Sequence, residues 1–120
     1  MHAFDVLGDP VRRRILELLA DGETSSGEVA QIVRREFGIS QPAASQHLRV
    51  LRESGFATVR PEGTRRLYRI DRAGFVAVDA YLDQLRAGWS RHLDALGTEL
   101  ARGRRERRSA APEQPEPEQP

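Results

Sequence analysis

The segment SQPAASQHLRVLRESG, residues 40–55, has the spacing of a helix but an unusual outer face. Apolar residues recur every three or four positions, at Ala44, Leu48 and Leu51, and mark the side that faces inward. The outward residues are mostly small or hydrogen-bonding: Gln41, Ala43, Ser45, Gln46, Arg49 and Arg52. A glutamine amide can bond an adenine edge at two points, a serine hydroxyl can bond any base, and an alanine methyl can touch thymine. Residues 41–54 therefore predict a helix that reads base edges in a DNA major groove.

The remaining polar residues of this segment suit the DNA backbone. Ser40 is a helix-capping residue, and the free amides at the start of the helix can hold a phosphate. Arg49 and Arg52 lie about one turn apart and are better placed for phosphates than for bases. His47 has two interpretations: it contacts DNA, or it is half-buried and hydrogen-bonded between helices.

Length and composition exclude several classes of protein. The chain of 120 residues has room for one domain. It has no 18-residue apolar run and no charged-then-apolar leader, so we expect a cytoplasmic protein that does not enter the membrane. Cysteine is absent, which excludes disulfides, thiolate metal sites and a cysteine nucleophile. The net charge is only +1, but all 19 cationic side chains are arginine, which suits phosphates and guanine edges; a GC-rich genome would produce the same bias.

Two helices are predicted at the start of the chain. The Asp9–Pro10 pair separates a short first helix, which carries Phe4 and Leu7, from a second helix that closes on Gly22. Arginines 12–14 lie at the positive end of the second helix dipole, which is unfavourable for cations. Either they have a role beyond helix stability or they form a solvated basic face.

A third helix begins at a capping serine, Ser25 or Ser26, and ends at Gly38. Only the three residues GIS connect it to the helix of residues 41–54. So short a connection holds the two helices as an angled pair. The sequence therefore predicts a helix-turn-helix.

A β-hairpin follows residue 55. FATVR and TRRLYRI are rich in β-forming residues and flank the turn signal PEG, so we expect a two-stranded hairpin. Its tip and second strand carry Arg60, Arg65, Arg66 and Arg69. Because an isolated hairpin is marginal in water, its apolar residues must pack on the helices.

Asp71 caps a long last helix that is predicted to run to about Arg105. Its apolar residues approximate a heptad seam: Phe75, Val78, Leu82, Leu85, Trp89 and Leu96. The rest of this short chain is too small to cover the seam. We therefore expect a symmetric dimer in which Phe4 and Leu7 of the first helix also take part. The alternative is packing within one chain with a frayed second half. We assign residues 1–105 to one domain and expect residues 106–120, rich in Pro and Glu, to be disordered.

The segments DPVRRRILELL, SQPAASQHLRVLRESG and VRPEGTRRLYRI, together with the long last helix, resemble the ArsR/SmtB family of bacterial winged helix-turn-helix regulators. The resemblance implies a mainly α fold with a β-hairpin wing, in the order four helices, two strands and a fifth helix. It also implies a homodimer formed by the first and last helices, with residues 41–54 in the major groove and the wing at residues 61–66 near the minor groove. Most such proteins repress promoters at inverted repeats.

The chain departs from the metal sensors of that family. They commonly use cysteines in the recognition region or two carboxylates and two histidines on the last helix. Here Asp79 and His92 match two of those four positions, whereas Tyr81 and Ala95 occupy the others. Half a ligand set makes a poor zinc site. We therefore predict no cofactor, with Asp79 and His92 as weak metal candidates, and an input that is a small molecule, a partner protein or protein concentration alone.

Two other classes of function were weighed. A winged-helix module that binds protein or RNA would need exposed aromatic residues on its sheet or an apolar outer face on the fourth helix, and the sequence shows neither. An enzyme would need a nucleophile paired with a base or a phosphate-binding glycine loop, and little supports either. The sequence thus favours a homodimeric regulator that binds double-stranded DNA and is not an enzyme.

Overall fold

Five helices and three strands are present in the part of the chain that the structure describes, which is residues 2–110 of a computed structural model, with side chains over residues 2–107. The helices are α1 Ala3–Leu7, α2 Pro10–Ala20, α3 Ser26–Phe37, α4 Gln41–Glu53 and α5 Arg72–Ala110. The strands are β1 Thr24–Ser25, β2 Ala57–Glu62 and β3 Arg65–Ile70. The chain divides into two units, Met1–Tyr81 and Leu82–Pro120, so α5 belongs to both. The mainly helical winged fold predicted from the sequence is confirmed.

The helix boundaries follow local capping chemistry. Side-chain oxygens accept backbone N–H bonds at the starts of α2, α3, α4 and α5, and the capping residues are Asp9, Ser25, Ser40 and Asp71. Of the two serines proposed for α3, Ser25 is the cap, because its Oγ lies 3.2 Å from the Glu28 nitrogen. Gly38 ends α3 with φ of 66°, a left-handed conformation that glycine adopts at little cost. This conformation turns the chain within three residues into α4.

The sheet has one strand more than the sequence predicted. β1 pairs antiparallel with β3, and β3 pairs antiparallel with β2, giving the order β1-β3-β2. β1 was missed because two residues carry no detectable alternation of apolar and polar side chains. The loop predicted over residues 61–66 is also wrong in part: Pro61 pairs with Arg66, and only residues 63–64 form the turn. Proline is tolerated there because β2 is an edge strand.

The core of the unit Met1–Tyr81 lies between the helices and the sheet. Its fully buried side chains include Ile15 from α2, Val29 and Val33 from α3, and Leu51 from α4. Phe56, also fully buried, packs edge-to-face on Phe75 with ring centroids 5.0 Å apart. Gly74 of α5 leaves room for this ring, since a Cβ built there would lie 2.6 Å from Phe56 Cγ. This packing fixes the start of α5 against the strand that follows α4.

Helix α5 is longer than predicted. It continues to Ala110, so residues 106–110, which were expected to be disordered, are helical, because arginine, alanine and glutamate there favour a helix. Residues 111–120 lie outside the described residues. In the unit Leu82–Pro120, four large apolar side chains on α5 are exposed, and they are Trp89, Leu93, Leu96 and Leu100. Two of the residues predicted for a dimer seam have packing partners within the chain: Phe75 contacts Phe56, and Val78 is buried.

Within residues 2–110, no helix is both long enough and apolar enough to cross a membrane.

Candidate nucleic-acid interface

Helix α4 presents a polar face to solvent because its apolar residues are used in the core. Ala44, Leu48 and Leu51 are buried against the rest of the unit. Gln41, Ser45, Gln46 and Arg49 are exposed, whereas Ala43, His47 and Arg52 are partly buried. Two further exposed residues, Pro42 and Glu53, were not predicted for this face, although the helical period that exposes Gln46 and Arg49 exposes them as well.

The three-residue turn between α3 and α4 brings a further arginine to the start of α4. Arg34 Nη1 donates a hydrogen bond to Gln41 Oε1 over 3.2 Å. Sequence reasoning missed Arg34, because it lies on another helix and its seven-residue separation from Gln41 spans a turn of unknown direction. The shortness of the GIS connection was the available signal.

The two arginines predicted for the wing point to opposite faces of the sheet. Side chains alternate along a strand, so Arg66 shares a face with Tyr68, whereas Arg65 shares the other face with Leu67. Arg65 Nη2 lies 3.3 Å from Glu62 Oε1 on the neighbouring strand. Arg66 is exposed and has no ion pair or side-chain hydrogen bond to any residue from 2 to 107. The charge of Arg65 is therefore partly neutralised by Glu62, whereas that of Arg66 is available to a binding partner.

Arg66 and the residues of α4 meet in one depression, which we call the α4–wing cleft. It has a volume of about 250 Å³. Its lining comprises Ser26, Ser45, Leu48, Arg49, Arg52, Arg66 and Tyr68. Three guanidinium groups thus converge from a helix and a strand. Such a cluster is suited to a phosphate group, to which arginine can donate two parallel hydrogen bonds.

The arginines of this cleft are weakly paired within the chain. Arg49 has no ion pair to a described side chain, and the nearest carboxylate to Arg52 is that of Glu53, at 4.0 Å. Elsewhere on the sheet, Arg60 is held by Glu23 through two bonds of 2.9 and 2.7 Å. That hydrogen-bonded pair lowers the pKa of Glu23 and raises the pKa of Arg60. The cleft therefore keeps a positive potential that the Arg60 region loses.

His47 lies between helices and does not face outward with the other residues of α4. Its side chain is 18% exposed, and its Nδ1 lies 3.5 Å from Arg12 Nη1 and 4.0 Å from Asp9 Oδ1. Of its two interpretations, the geometry favours the half-buried residue that links α4 to the start of α2.

The arginines at the start of α2 hold neighbouring elements. Arg12 donates to the carbonyl oxygens of Asp5 and Val6, each over 2.9 Å, and Arg13 donates to that of Leu7 over 2.7 Å. These are the carbonyls at the end of α1, and that of Asp5 also accepts a backbone hydrogen bond of 3.3 Å from Gly8. Arg14 forms a bidentate pair with Glu36 of α3, over 2.8 and 3.1 Å. That pair raises the pKa of Arg14 and lowers the pKa of Glu36.

The weak metal candidates do not form a cluster within the chain. Asp79 and His92 both lie on α5. Among the described side chains, no three His, Cys, Asp or Glu residues come together in a group that could hold an ion.

Known proteins share both the sequence and the fold of this region. The family model of a helix-turn-helix domain matches residues 7–60. The HTH-type transcriptional regulator Rv2034 of Mycobacterium tuberculosis is 42% identical over 92 residues, which cover 77% of this chain and 79% of that protein.

Solved structures of related proteins share the fold of this chain. The crystal structure of an ArsR family transcriptional regulator, 28% identical, superposes with a TM-score of 0.64 over 73% of this chain and 87% of its own. A solution structure from Mycobacterium bovis is described as the homodimeric winged helix-turn-helix DNA-binding domain of a possible ArsR-family regulator. It is 33% identical, with a TM-score of 0.51 over 72% of this chain and 75% of its own. The chain therefore belongs to the ArsR family of winged helix-turn-helix transcriptional regulators.

Proposed function

We propose that this protein is a homodimeric repressor that binds double-stranded DNA at an inverted-repeat operator. The observation that carries the proposal is the α4–wing cleft, in which Arg49, Arg52 and Arg66 converge beside an uncharged polar helix face. The arginines contact phosphates on either side of the groove, and Gln41, Ser45 and Gln46 contact base edges within it. Ser40, Ala43 and Arg65 contribute at the edges of this surface. His47 acts by positioning α4.

The proposed dimer supplies two such surfaces. The Mycobacterium bovis relative is described as homodimeric. In this chain, Phe4 of α1 and Trp89, Leu93, Leu96 and Leu100 of α5 are large apolar side chains left exposed, and a second copy would cover them. Of the other residues predicted for the dimer contact, Leu7, Leu82 and Leu85 are each partly exposed, Phe75 packs on Phe56, and Val78 is buried. Two recognition helices related by a dyad would address half-sites about 34–36 Å apart.

The other assignments follow from this role. DNA binding and dimerisation reside in residues 1–105, and the protein acts in the cytoplasm, where a bacterial chromosome lies. The protein performs no catalysis. The input to this regulator is a small molecule, a partner protein or the concentration of the protein alone.

Substitution Gln46→Ala tests the reading role of α4. We expect it to reduce the preference for the operator over a scrambled duplex by fivefold or more, because one bidentate base contact contributes about 1–3 kcal/mol of discrimination. The operator is found by selection from random duplexes, and affinities are measured by electrophoretic shift over a salt series. Equal weakening on both duplexes would contradict the reading role.

The matched control is Glu53→Gln, at the exposed far end of the same helix. It should leave the preference for the operator unchanged. If the wild-type dimer selects no recurrent sequence, sequence-specific binding is wrong.

A further inference from the structure

Two glutamines on the outer face of α4 differ in their hydrogen bonding. Gln41 Oε1 accepts a hydrogen bond of 3.2 Å from Arg34 Nη1 at the end of α3. Gln46 is exposed and makes no side-chain hydrogen bond to any residue from 2 to 107. Gln46 therefore has its whole amide available to DNA, whereas the amide oxygen of Gln41 already accepts one bond within the chain.

The bond to Arg34 determines what Gln41 can offer to a base. A guanidinium carries only donors, so it orients the amide with its oxygen inward, and the bond is strengthened by the charge. Gln41 then keeps both N–H donors of Nε2 free, while one of the two lone pairs of Oε1 is used. Bidentate bonding to adenine needs both an amide oxygen and an amide nitrogen. Bidentate bonding of Gln41 to adenine would have to share Oε1 with Arg34 or break that bond, so it is disfavoured.

We propose that Arg34 tunes specificity by biasing Gln41 toward bases whose major-groove edges offer only acceptors, guanine above all, while Gln46 keeps the bidentate mode for adenine. Guanine fits because its N7 and O6 are adjacent acceptors, whereas adenine presents a donor beside its N7. This inference rests on the proposed function. It adds a positioning residue on α3, outside the recognition helix.

The placement of the pair supports this role. Gln41 is the first residue of α4, and the first residues of a recognition helix are those that contact base edges. The left-handed Gly38 and the three-residue turn keep the end of α3 beside Gln41. Both side chains are exposed, so the pair needs no rearrangement of the core to meet DNA.

Parallel selections from a random-sequence duplex library test the proposal. The full-length wild type, Gln41→Ala and Gln46→Ala first identify the position that each glutamine reads, as the position where preference is lost. We expect guanine at the position of Gln41 and adenine at that of Gln46. We then expect Arg34→Met to reduce the guanine preference at the Gln41 position by about fivefold, since a freed amide also accepts adenine, and to leave the Gln46 position unchanged.

Two matched variants separate this effect from charge and from folding. Arg35→Met removes the same charge from the adjacent residue and should keep the guanine preference. Arg34→Lys keeps a donor toward Gln41 Oε1 and should also keep it. On wild-type protein, 7-deazaguanine at the Gln41 position should weaken binding several-fold, because it removes the N7 acceptor.

The outcomes distinguish this proposal from the proposed function. A wild-type protein that selects no recurrent sequence overturns both. A wild-type motif that Arg34→Met leaves unaltered, adenine at the Gln41 position, or a Gln41→Ala variant without any lost preference overturns the Arg34 assignment alone.

Discussion

Arginines serve opposite purposes at the start of α2 and in the α4–wing cleft. At the start of α2, Arg12 and Arg13 donate to carbonyl oxygens of α1, and Arg14 is bound to Glu36. In the α4–wing cleft, Arg49 and Arg66 have no ion pair to a described side chain. Each group has three arginines. Those of α2 are consecutive in the sequence, whereas those of the cleft come together only in the folded chain. Only the second has its charge and donors available.

The difference shows why arginine content alone is a poor guide to a DNA surface. A guanidinium bound to carbonyls or carboxylates stabilises the fold and has fewer donors left for phosphate. An unpaired guanidinium on the surface keeps its donors for phosphate, and because it is weakly hydrated it gives up little hydration free energy on binding. The two groups should therefore respond differently to substitution, one in DNA affinity and the other in folding.

The largest effect is expected for the double variant Arg49→Ala/Arg66→Ala. Each substitution removes two phosphate contacts per dimer, so operator affinity should fall on the order of a hundredfold, and the slope of log K against log salt should become shallower by about 3.6. Unfolding by urea should be unchanged, because neither side chain has a partner among the described residues. A lowered urea midpoint with normal salt dependence would assign these arginines to the fold.

Arg12→Ala should show the converse pattern. It leaves two carbonyl oxygens at the end of α1 without their charged donor, so the free energy of unfolding should fall by about 1–2 kcal/mol. The salt dependence of operator binding should keep its slope. Urea titration followed by circular dichroism measures the first quantity, and electrophoretic shift at saturating folded protein measures the second. A shallower salt slope would show that Arg12 contacts DNA.

The two neighbouring wing arginines provide a finer comparison. Arg66→Ala should weaken binding to operator and scrambled duplexes alike, by about tenfold, whereas Arg65→Ala should weaken it only about threefold, because Glu62 already pairs with Arg65. Equal losses would mean that the 3.3 Å pair to Glu62 opens on binding. Measurement at several salt concentrations shows whether the slopes differ as well.

The smallest effect concerns pH and the Arg14–Glu36 pair. The pKa of Glu36 is lowered in the folded protein, so this pair stabilises the fold above the ordinary glutamate pKa, and the stabilisation is lost as the pH falls through the folded pKa. Glu36→Gln should therefore be slightly less stable than wild type near pH 7 and equal to it well below about pH 4. Urea midpoints from pH 7 to pH 3 measure this convergence, and Arg49→Ala should run parallel to wild type throughout.

The fold was largely readable because its signals are local. Asp9, Ser40 and Asp71 cap helices within four residues of the amides they bind, and the change of period after Gly55 marks the hairpin. The errors have physical causes too. β1 is defined by pairing with β3, more than 40 residues away in the chain, and two residues carry no period of their own. The predicted wing loop was too long at both ends, because Pro61 was assigned to the turn signal PEG, although an edge strand accepts proline and Pro61 pairs with Arg66.

The site was predictable only where a single element forms it. The helical period of α4 separated Ala44 and Leu48 from Gln46 and Arg49, and burial agrees with that division. Arg34 was missed because its bond to Gln41 crosses between helices. His47 was left open because its neighbours, Asp9 and Arg12, come from a distant helix.

The sequence by itself determined the order of the helices, the position of the hairpin, the face of α4 that is polar and the family resemblance. All of these depend on residues within one or two turns of each other, where spacing and side-chain chemistry suffice. Only the tertiary structure decided which arginines are hydrogen-bonded within the chain, that Arg66 and Arg49 share a cleft, and that Gln41 Oε1 accepts a bond from Arg34. Those facts depend on distances between elements far apart in the chain, and a hydrogen bond forms or fails within a few tenths of an ångström.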